Sequence, residues 1–278
     1  MAVGKVKIPT YWYGEHPNFG DALTAHIFPR YGISVSSCTV EKAELIGIGS
    51  LLGNLVKADT KAIILGAGFM FRRQAFSLPR KQVAAVRGKL SAERLGLSLG
   101  KVPLGDPGIL IEPLAGIVEQ HQIGIVPHYV DKGAAVLELL KEKHGEAISI
   151  IDVEHNDIDR FVRDMSACNT ILSSSLHGLI AAWALGKPGG RLGLSDRVVG
   201  KGFKFDDFYS AFGLENAASV LDGSESISSL QDKCLAPPLT IPRVQADLIE
   251  AFDQTRRKLI SFRRKLTHYF SGFRAMGE

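Results

Sequence analysis

Strand-length apolar runs that alternate with helix-patterned segments constrain this chain most. Continuous rather than alternating apolar strands belong in a parallel sheet that is covered on both faces. In the first half the extended runs are 6–13, 44–48, 62–65, 82–86, 102–104 and 109–111, with helical patterns at 21–31, 51–57 and 89–95. The second half repeats the scheme, with extended runs at 122–126, 147–153 and 170–172 and helical patterns at 133–143, 157–167, 176–185 and 206–212. A chain of 278 residues is long enough for one core to divide into two. We therefore expect an α/β fold of two Rossmann-like domains, 1–115 and 116–240, meeting at the Pro/Gly-bearing stretch Glu112-Pro113-Leu114-Ala115-Gly116. Residues 241–278 read as a basic amphipathic helix.

Bulk features exclude several classes. The longest apolar runs, such as 62–71, are too short to span a bilayer, and the first twenty residues lack the layout of a secretory signal, so a cytoplasmic protein is expected. Cys38, Cys168 and Cys234 are isolated and show no zinc or disulfide spacing, which makes them reduced, buried thiols. Residues 254–278 carry seven Arg/Lys against the single acid Glu278, more than the whole-chain net charge of +4. Basicity confined to one segment argues against nucleic-acid binding, which needs a basic face on the folded domains, and points to a local anionic surface.

Ligands of open α/β sheets bind beyond the carboxyl ends of the strands, so two facing halves would share one cleft. Asn18 to Asp21, Gly66 to Phe69, Arg87-Gly88, Gly105-Asp106, Pro127-His128 and Ser173 to His177 all fall at such ends. In the last, Ser173-Ser174-Ser175-Leu176-His177-Gly178 joins a strand to a helix. Free N–H groups, the positive helix end and a titratable ring there suit a phosphate, although a Ser-capped helix with a partly exposed His fits the same residues. Asn18 and Asp21 are either an N-terminal cap or ligands for hydroxyls, and Arg87 is either a surface residue or a bidentate anion clamp. Asp106 is a turn residue or a catalytic acid, and His128 joins His177 as an acid–base or phosphate-contact candidate, with His16 third. Gly47-x-Gly49-x-x-x-Gly53 departs from the dinucleotide spacing and is followed by Gly66-Ala67-Gly68 where a ribose-binding acid would stand, so no nicotinamide cofactor is expected. Lys201 and Lys204 in Gly200-Lys201-Gly202-Phe203-Lys204, with Arg191 and Arg197, are either solvated loop cations or a closure over a donor phosphate.

Taken in order, Tyr11 to Leu23, Val86-Arg87-Gly88, Leu104-Gly105-Asp106-Pro107-Gly108, Ile125-Val126-Pro127-His128 and the Ser-rich turn before His177 resemble the polysaccharide pyruvyl transferase family, from about Tyr11 to Phe212. One departure is Ser175, where many members carry Arg. The resemblance implies a GT-B-like pair of domains, phosphoenolpyruvate as donor, and as acceptor a hexose of a repeat unit on a polyprenyl diphosphate carrier. It assigns the phosphate to Ser174, Ser175 and His177, an anion of the donor to Arg87, acid–base work to Asp106 and His128, and the acceptor to Asn18, Asp21 and His16. One of Arg191, Arg197, Lys201 and Lys204 is expected to stand in for the family Arg, with Arg191, Lys201 and Lys204 taken as donor-binding, and the scheme needs neither metal nor cofactor. A nucleotide-sugar glycosyltransferase of the same shape and a non-catalytic, membrane-associated sugar or nucleotide binder are the alternatives. Thermal stabilisation by phosphoenolpyruvate against that by nucleotide sugars separates the two enzymes; the binder would show donor affinity without phosphate release.

In the tail, Leu248, Phe252, Leu259, Phe262, Leu266, Phe270 and Phe273 recur at helical spacing among the cations. That stripe either lies on an anionic inner-membrane surface through residues 248–274 or packs back across the domains.

Overall fold

A computed structural model describes residues 7–274 except 216, with side chains through 261. Its first sheet holds β1 (Ile8–Tyr11), β2 (Val35–Ser37), β3 (Leu45–Ile46), β4 (Ile63–Leu65) and β5 (Val83–Ala85) in the order β2-β1-β3-β4-β5, every pairing parallel. Between these strands and after them run α1 (Phe19–Arg30) and α2 (Lys89–Arg94). The second sheet, in the order β10-β9-β8-β6-β7, is also parallel throughout: β6 (His121–Val126), β7 (Ile148–Ile150), β8 (Cys168–Ser173), β9 (Gly189–Leu192) and β10 (Ala218–Ser219). Its helices are α3 (Ala135–His144), α4 (Ile158–Ser166), α5 (Leu176–Ala184), α6 (Phe203–Ser210) and α7 (Ile227–Gln231), and α8 (Ile241–Arg274) follows.

Central strands are buried on both faces, as the continuous apolar runs require: Ile123 to Val126 of β6 and Ile171 to Ser173 of β8 are inaccessible. Three expected elements differ. Residues 51–57 form one tight turn, with Leu55 and Val56 both donating to Leu51 O and Gly53 at φ +81, a left-handed residue that stops a helix. Residues 109 and 110 belong to a 3-10 turn, Pro107–Leu110, that Ile111 follows as its C-cap, because Asp106 caps its start and Pro107 sits at its first position. Of 102–104, only Leu104 bridges to Val86.

Packing joins the halves. Phe19 of α1 stacks on Phe161 of α4 with centroids 3.6 Å apart, and Phe19 N–H donates to Val153 O at 2.9 Å. Trp183 of α5 meets Phe208, Tyr209 and Phe212 at 5.1–5.4 Å, so α6 lies against the second half's helix on one side. On the other side α6 is tied to the first sheet. Arg87 Nε donates to Asp207 Oδ2 at 3.0 Å, both side chains being fully enclosed, while Ser91 N–H and Oγ donate to the same carboxylate. Gly88 permits this approach, since a Cβ there would overlap the carbonyl of Asp207.

Helix α8 returns to the first sheet. Ile241, Val244, Leu248, Ala251, Phe252, Thr255 and Leu259 are buried, and the Phe252 ring meets Phe28 at 4.9 Å and Tyr31 at 5.1 Å. The membrane surface expected from residue 248 onward is therefore corrected for Leu248, Phe252 and Leu259, which face protein. Arg256 and Arg257 pair with Asp253, both at 2.6 Å. The side chains of Phe262, Arg263, Arg264, Lys265, Leu266, Phe270, Phe273 and Arg274 lie outside the described residues. Among the described residues no helix is long and apolar enough to cross a membrane.

Removing Asp207 strands an enclosed guanidinium. Asp207→Ala should lower unfolding free energy by about 3–5 kcal/mol in urea titration, whereas the double change Arg87→Met with Asp207→Leu should recover most of it. Equal stability of single and double variants would show that the pair does not hold α6.

Candidate active site

Loops from both sheets meet around His177, in the first turn of α5. That helix starts sharply because Ser173 Oγ accepts Ser175 N–H at 3.0 Å and donates to Val126 O at 2.8 Å, holding the turn against β6. Ser175 is the N-cap and makes no side-chain capping bond. From the first half comes Asp106. Its Oδ1 accepts Gly108 N–H at 2.9 Å, leaving Oδ2 directed at His177 Nε2, 3.8 Å away. Neither of these two atoms has a hydrogen-bond partner among the described residues, and Asp106 is completely buried. Small movements on substrate binding close such distances. The His177 ring lies against Gly20, where a Cβ would overlap Nδ1.

Three further groups titrate abnormally around this pair. Burial pushes Asp21 up to about 6, with His177 and Lys204 opposing the rise. His128 is pushed down to about 4 by burial and then by the Lys204 charge, against the pull of Asp131. Lys204, in the first turn of α6, is lowered to about 8 by burial and by Arg87, while Asp21 and Asp131 favour its charge. Clustered shifts of this kind mark functional sites more often than scaffolds. Asp131 underpins the arrangement: fully buried, it accepts the hydroxyls of Ser174 (2.7 Å) and Ser195, and Ser174 Oγ accepts the His128 N–H at 2.9 Å.

The structure thus brings together His177, Asp106, His128, Asp21 and Lys204. Arg87 is corrected: its guanidinium is enclosed and donates to Asp207, Ser50 and Phe69 O, so it ties α6 to the first sheet instead of facing a ligand. Ser174 serves Asp131 and His128, and Asn18 is the cap of α1, its Oδ1 accepting Gly20 N–H at 2.9 Å. Arg191 stacks on the Phe205 ring at 4.4 Å, its Nε without a hydrogen-bond partner among the described residues. Lys201 is exposed at φ +45 between two left-handed glycines, and His16 and Arg197 are also exposed. Asp131, Asp207 and Gly20 were not singled out as site residues; their partners lie 43 or more positions away, so no local spacing reveals them.

The profile of the polysaccharide pyruvyl transferase family matches residues 18–195, well over half of the chain. The chain belongs to the polysaccharide pyruvyl transferase family. The matched span takes in every residue of the cluster except Lys204. Similar proteins include the uncharacterized protein L143 of Acanthamoeba polyphaga mimivirus, 31% identical over 173 residues, 59% of this chain and 60% of that one. The succinoglycan biosynthesis protein ExoV of Rhizobium meliloti (strain 1021) is 25% identical over 212 residues, 74% of this chain and 65% of that protein. The alignments thus span less than two thirds of either relative's length. Among solved structures, AviGT4, a glycosyltransferase involved in avilamycin A biosynthesis, superposes with a TM-score of 0.38 at 9% identity over 79% of this chain and 75% of its own. An uncharacterized Klebsiella pneumoniae protein gives 0.42 at 13% identity over 78% and 93%.

Asp21 offers a test of the cluster's electrostatics. A carboxyl raised from 3.8 to about 6 contributes stability that is full below the unfolded value and lost as pH rises through about 6. Asp21→Asn should therefore melt above wild type at pH 8, by an amount on the order of 2 kcal/mol, with the gap closing near pH 4.5. A melting difference that does not vary with pH would contradict the raised value.

Proposed function

We propose that this family member transfers pyruvate from phosphoenolpyruvate to two hydroxyls of a hexose, forming a ketal in exopolysaccharide synthesis. The observation that carries the reading is that the family match spans the His177–Asp106 contact, assembled from both halves at a helix N-terminus and flanked by a buried lysine. In this reading the two sheets are the acceptor and donor sides of a GT-B-like cleft between Rossmann-like halves. The acceptor is a repeat unit on a polyprenyl diphosphate carrier.

The reaction needs an anion clamp, an acid for C3 of the enol and a base for the acceptor. Lys204 and the free N–H groups at the start of α5 take the donor phosphate, with Arg191 beside them; Lys204 supplies the cation that Ser175 lacks. His177, oriented by Asp106, and Asp21, titrating near neutrality, are the groups that pass protons, while His128, neutral at pH 7, accepts a hydrogen bond. Two hydroxyl protons leave the acceptor as two C–O bonds form at C2. One reaches C3, making the methyl group, and the other departs with the phosphate when the C2–O bond to phosphorus breaks.

Incubating the protein with phosphoenolpyruvate and lipid-linked oligosaccharide should release inorganic phosphate and give a product heavier by one pyruvyl ketal. A requirement for a nucleotide sugar would refute the assignment. His177→Ala and Gly20→Ala should each lower kcat/KM by roughly 10²-fold with near-normal melting, the second by displacing the His177 ring. Lys204→Met should act mainly on the KM for phosphoenolpyruvate; near-normal kinetics for any of the three would remove that residue from the site.

We also propose that α8 beyond residue 260 meets the anionic cytoplasmic face of the membrane, where the acceptor resides. The support is the sequence alone, which places Arg263, Arg264 and Lys265 among Phe262, Leu266, Phe270 and Phe273. Co-sedimentation with anionic vesicles should fall with salt and when the three cations become Gln. Equal partitioning of wild type and variant would reject it.

A further inference from the structure

Three neighbouring strands of the second sheet, β9, β8 and β6, are followed by loops that one enclosed carboxylate joins. Asp131, in the 3-10 turn after β6, accepts the hydroxyl of Ser174, after β8, on Oδ2 at 2.7 Å, and the hydroxyl of Ser195, after β9, on Oδ1. Ser174 Oγ in turn accepts His128 N–H at 2.9 Å, and Ser195 Oγ accepts Arg197 N–H at 3.1 Å. The first branch closes on itself, because Asp131 N–H donates to His128 O at 2.7 Å. His128 is thus held at both its N–H and its C=O by bonds that end at one residue. Its ring is held in the same turn, where Nδ1 accepts Val130 N–H at 3.4 Å.

The direction of each proton in this network follows from the carboxylate. A carboxylate accepts on both oxygens and donates on neither. Each serine must therefore point its single proton at Asp131, which leaves its lone pairs free to accept a backbone N–H. An amide at position 131 would place a donor where one of the hydroxyls now donates, and that serine would have to turn its proton away. Asp131 is fully enclosed and makes no ion pair among the described residues, so its charge is kept from water at a cost that an amide would avoid. A tether that served stability alone would not need that charge.

We infer that Asp131 is the positioning residue of the candidate active site: its carboxylate fixes the protons of Ser174 and Ser195 and so holds His128, the approach to α5 and the loop after β9 in one frame. It acts through the serines and the His128 backbone. Residues held this way matter to rate because a displacement of about 1 Å in a reacting group can cost 10²-fold. The inference deepens the pyruvyl transfer reading and rests on it only for the reaction whose rate is measured.

Amide hydrogen exchange, read by NMR without any substrate, tests the frame. Ser174→Ala should speed exchange at His128 N–H by roughly tenfold and leave Arg197 N–H unchanged, Ser195→Ala should do the reverse, and Asp131→Asn should speed at least one of the two. In steady-state kinetics, Asp131→Asn and Ser174→Ala should each lower kcat by roughly 10²-fold while both KM values stay within about twofold of wild type. The double variant should lose no more than the worse single one, since a chain cut at one link is already cut. Unchanged exchange in Asp131→Asn, kcat losses that multiply in the double variant, or a rise in KM at normal kcat would overturn the inference. If Asp131→Asn does not fold, the two serine variants decide it by the same exchange measurements, and unchanged exchange in both overturns it. If exchange responds as expected but wild type forms no ketal, pyruvyl transfer fails while the positioning of His128 stands.

Discussion

The enclosed pair of Arg87 and Asp207 is the constraint from which the candidate site's geometry follows. Withdrawing both charges from water costs several kcal/mol per ion, and mutual attraction offsets that only when the remaining hydrogen-bonding capacity is filled. Here it is filled: Ser50 and Phe69 O take the guanidinium, and Ser91 N–H and Oγ take the carboxylate. The consequence is positional. Asp207 lies on α6, three residues after Lys204, so anchoring one against the first sheet delivers the other to the cluster with its ammonium buried.

A second close approach aligns the halves. The His177 ring fits because residue 20 has no side chain, and α1 is held there by the Phe19–Phe161 stack and by the bond from Phe19 N–H to Val153 O. Asp106 arrives from a separate turn of the first half, its orientation set by Gly108 N–H. The imidazole and carboxylate thus come from different sheets. Any shift of one half against the other alters their 3.8 Å separation before it disturbs either half's own hydrogen bonds.

Burial accounts for the electrostatics of the cluster. Asp21, His128 and Lys204 each move toward their neutral forms because low-dielectric surroundings penalise charge, and each shift is moderated by an opposite charge nearby. For Asp21 and Lys204 the shift is toward neutral pH, which suits proton exchange there, whereas His128 moves away from it and stays uncharged. Lys204 is also a cation that α6 carries into the cluster, beside a turn before His177 whose Ser175 is uncharged.

Much of the fold was legible in the sequence because it depends on neighbours along the chain. Continuous apolar runs announced the parallel strands, Asn18 to Asp21 offered a cap and Asp106 a turn, since both are set by groups two or three residues away. The strand-end positions of Asp21, Asp106, His128 and His177 were legible for the same reason. What the sequence could not determine was the fate of each polar group there: Arg87 looked like an anion clamp until Asp207, 120 positions on, enclosed it. Leu248, Phe252 and Leu259 formed a stripe suited to membrane or core, and only tertiary packing against Phe28 and Tyr31 decided for the core. By itself the sequence determined periodicity, turns and the order of the strand-end motifs, which are local. Tertiary structure decided which charges are buried, which glycine admits which ring and which lysine enters the site, because burial and pairing depend on residues that only folding brings together.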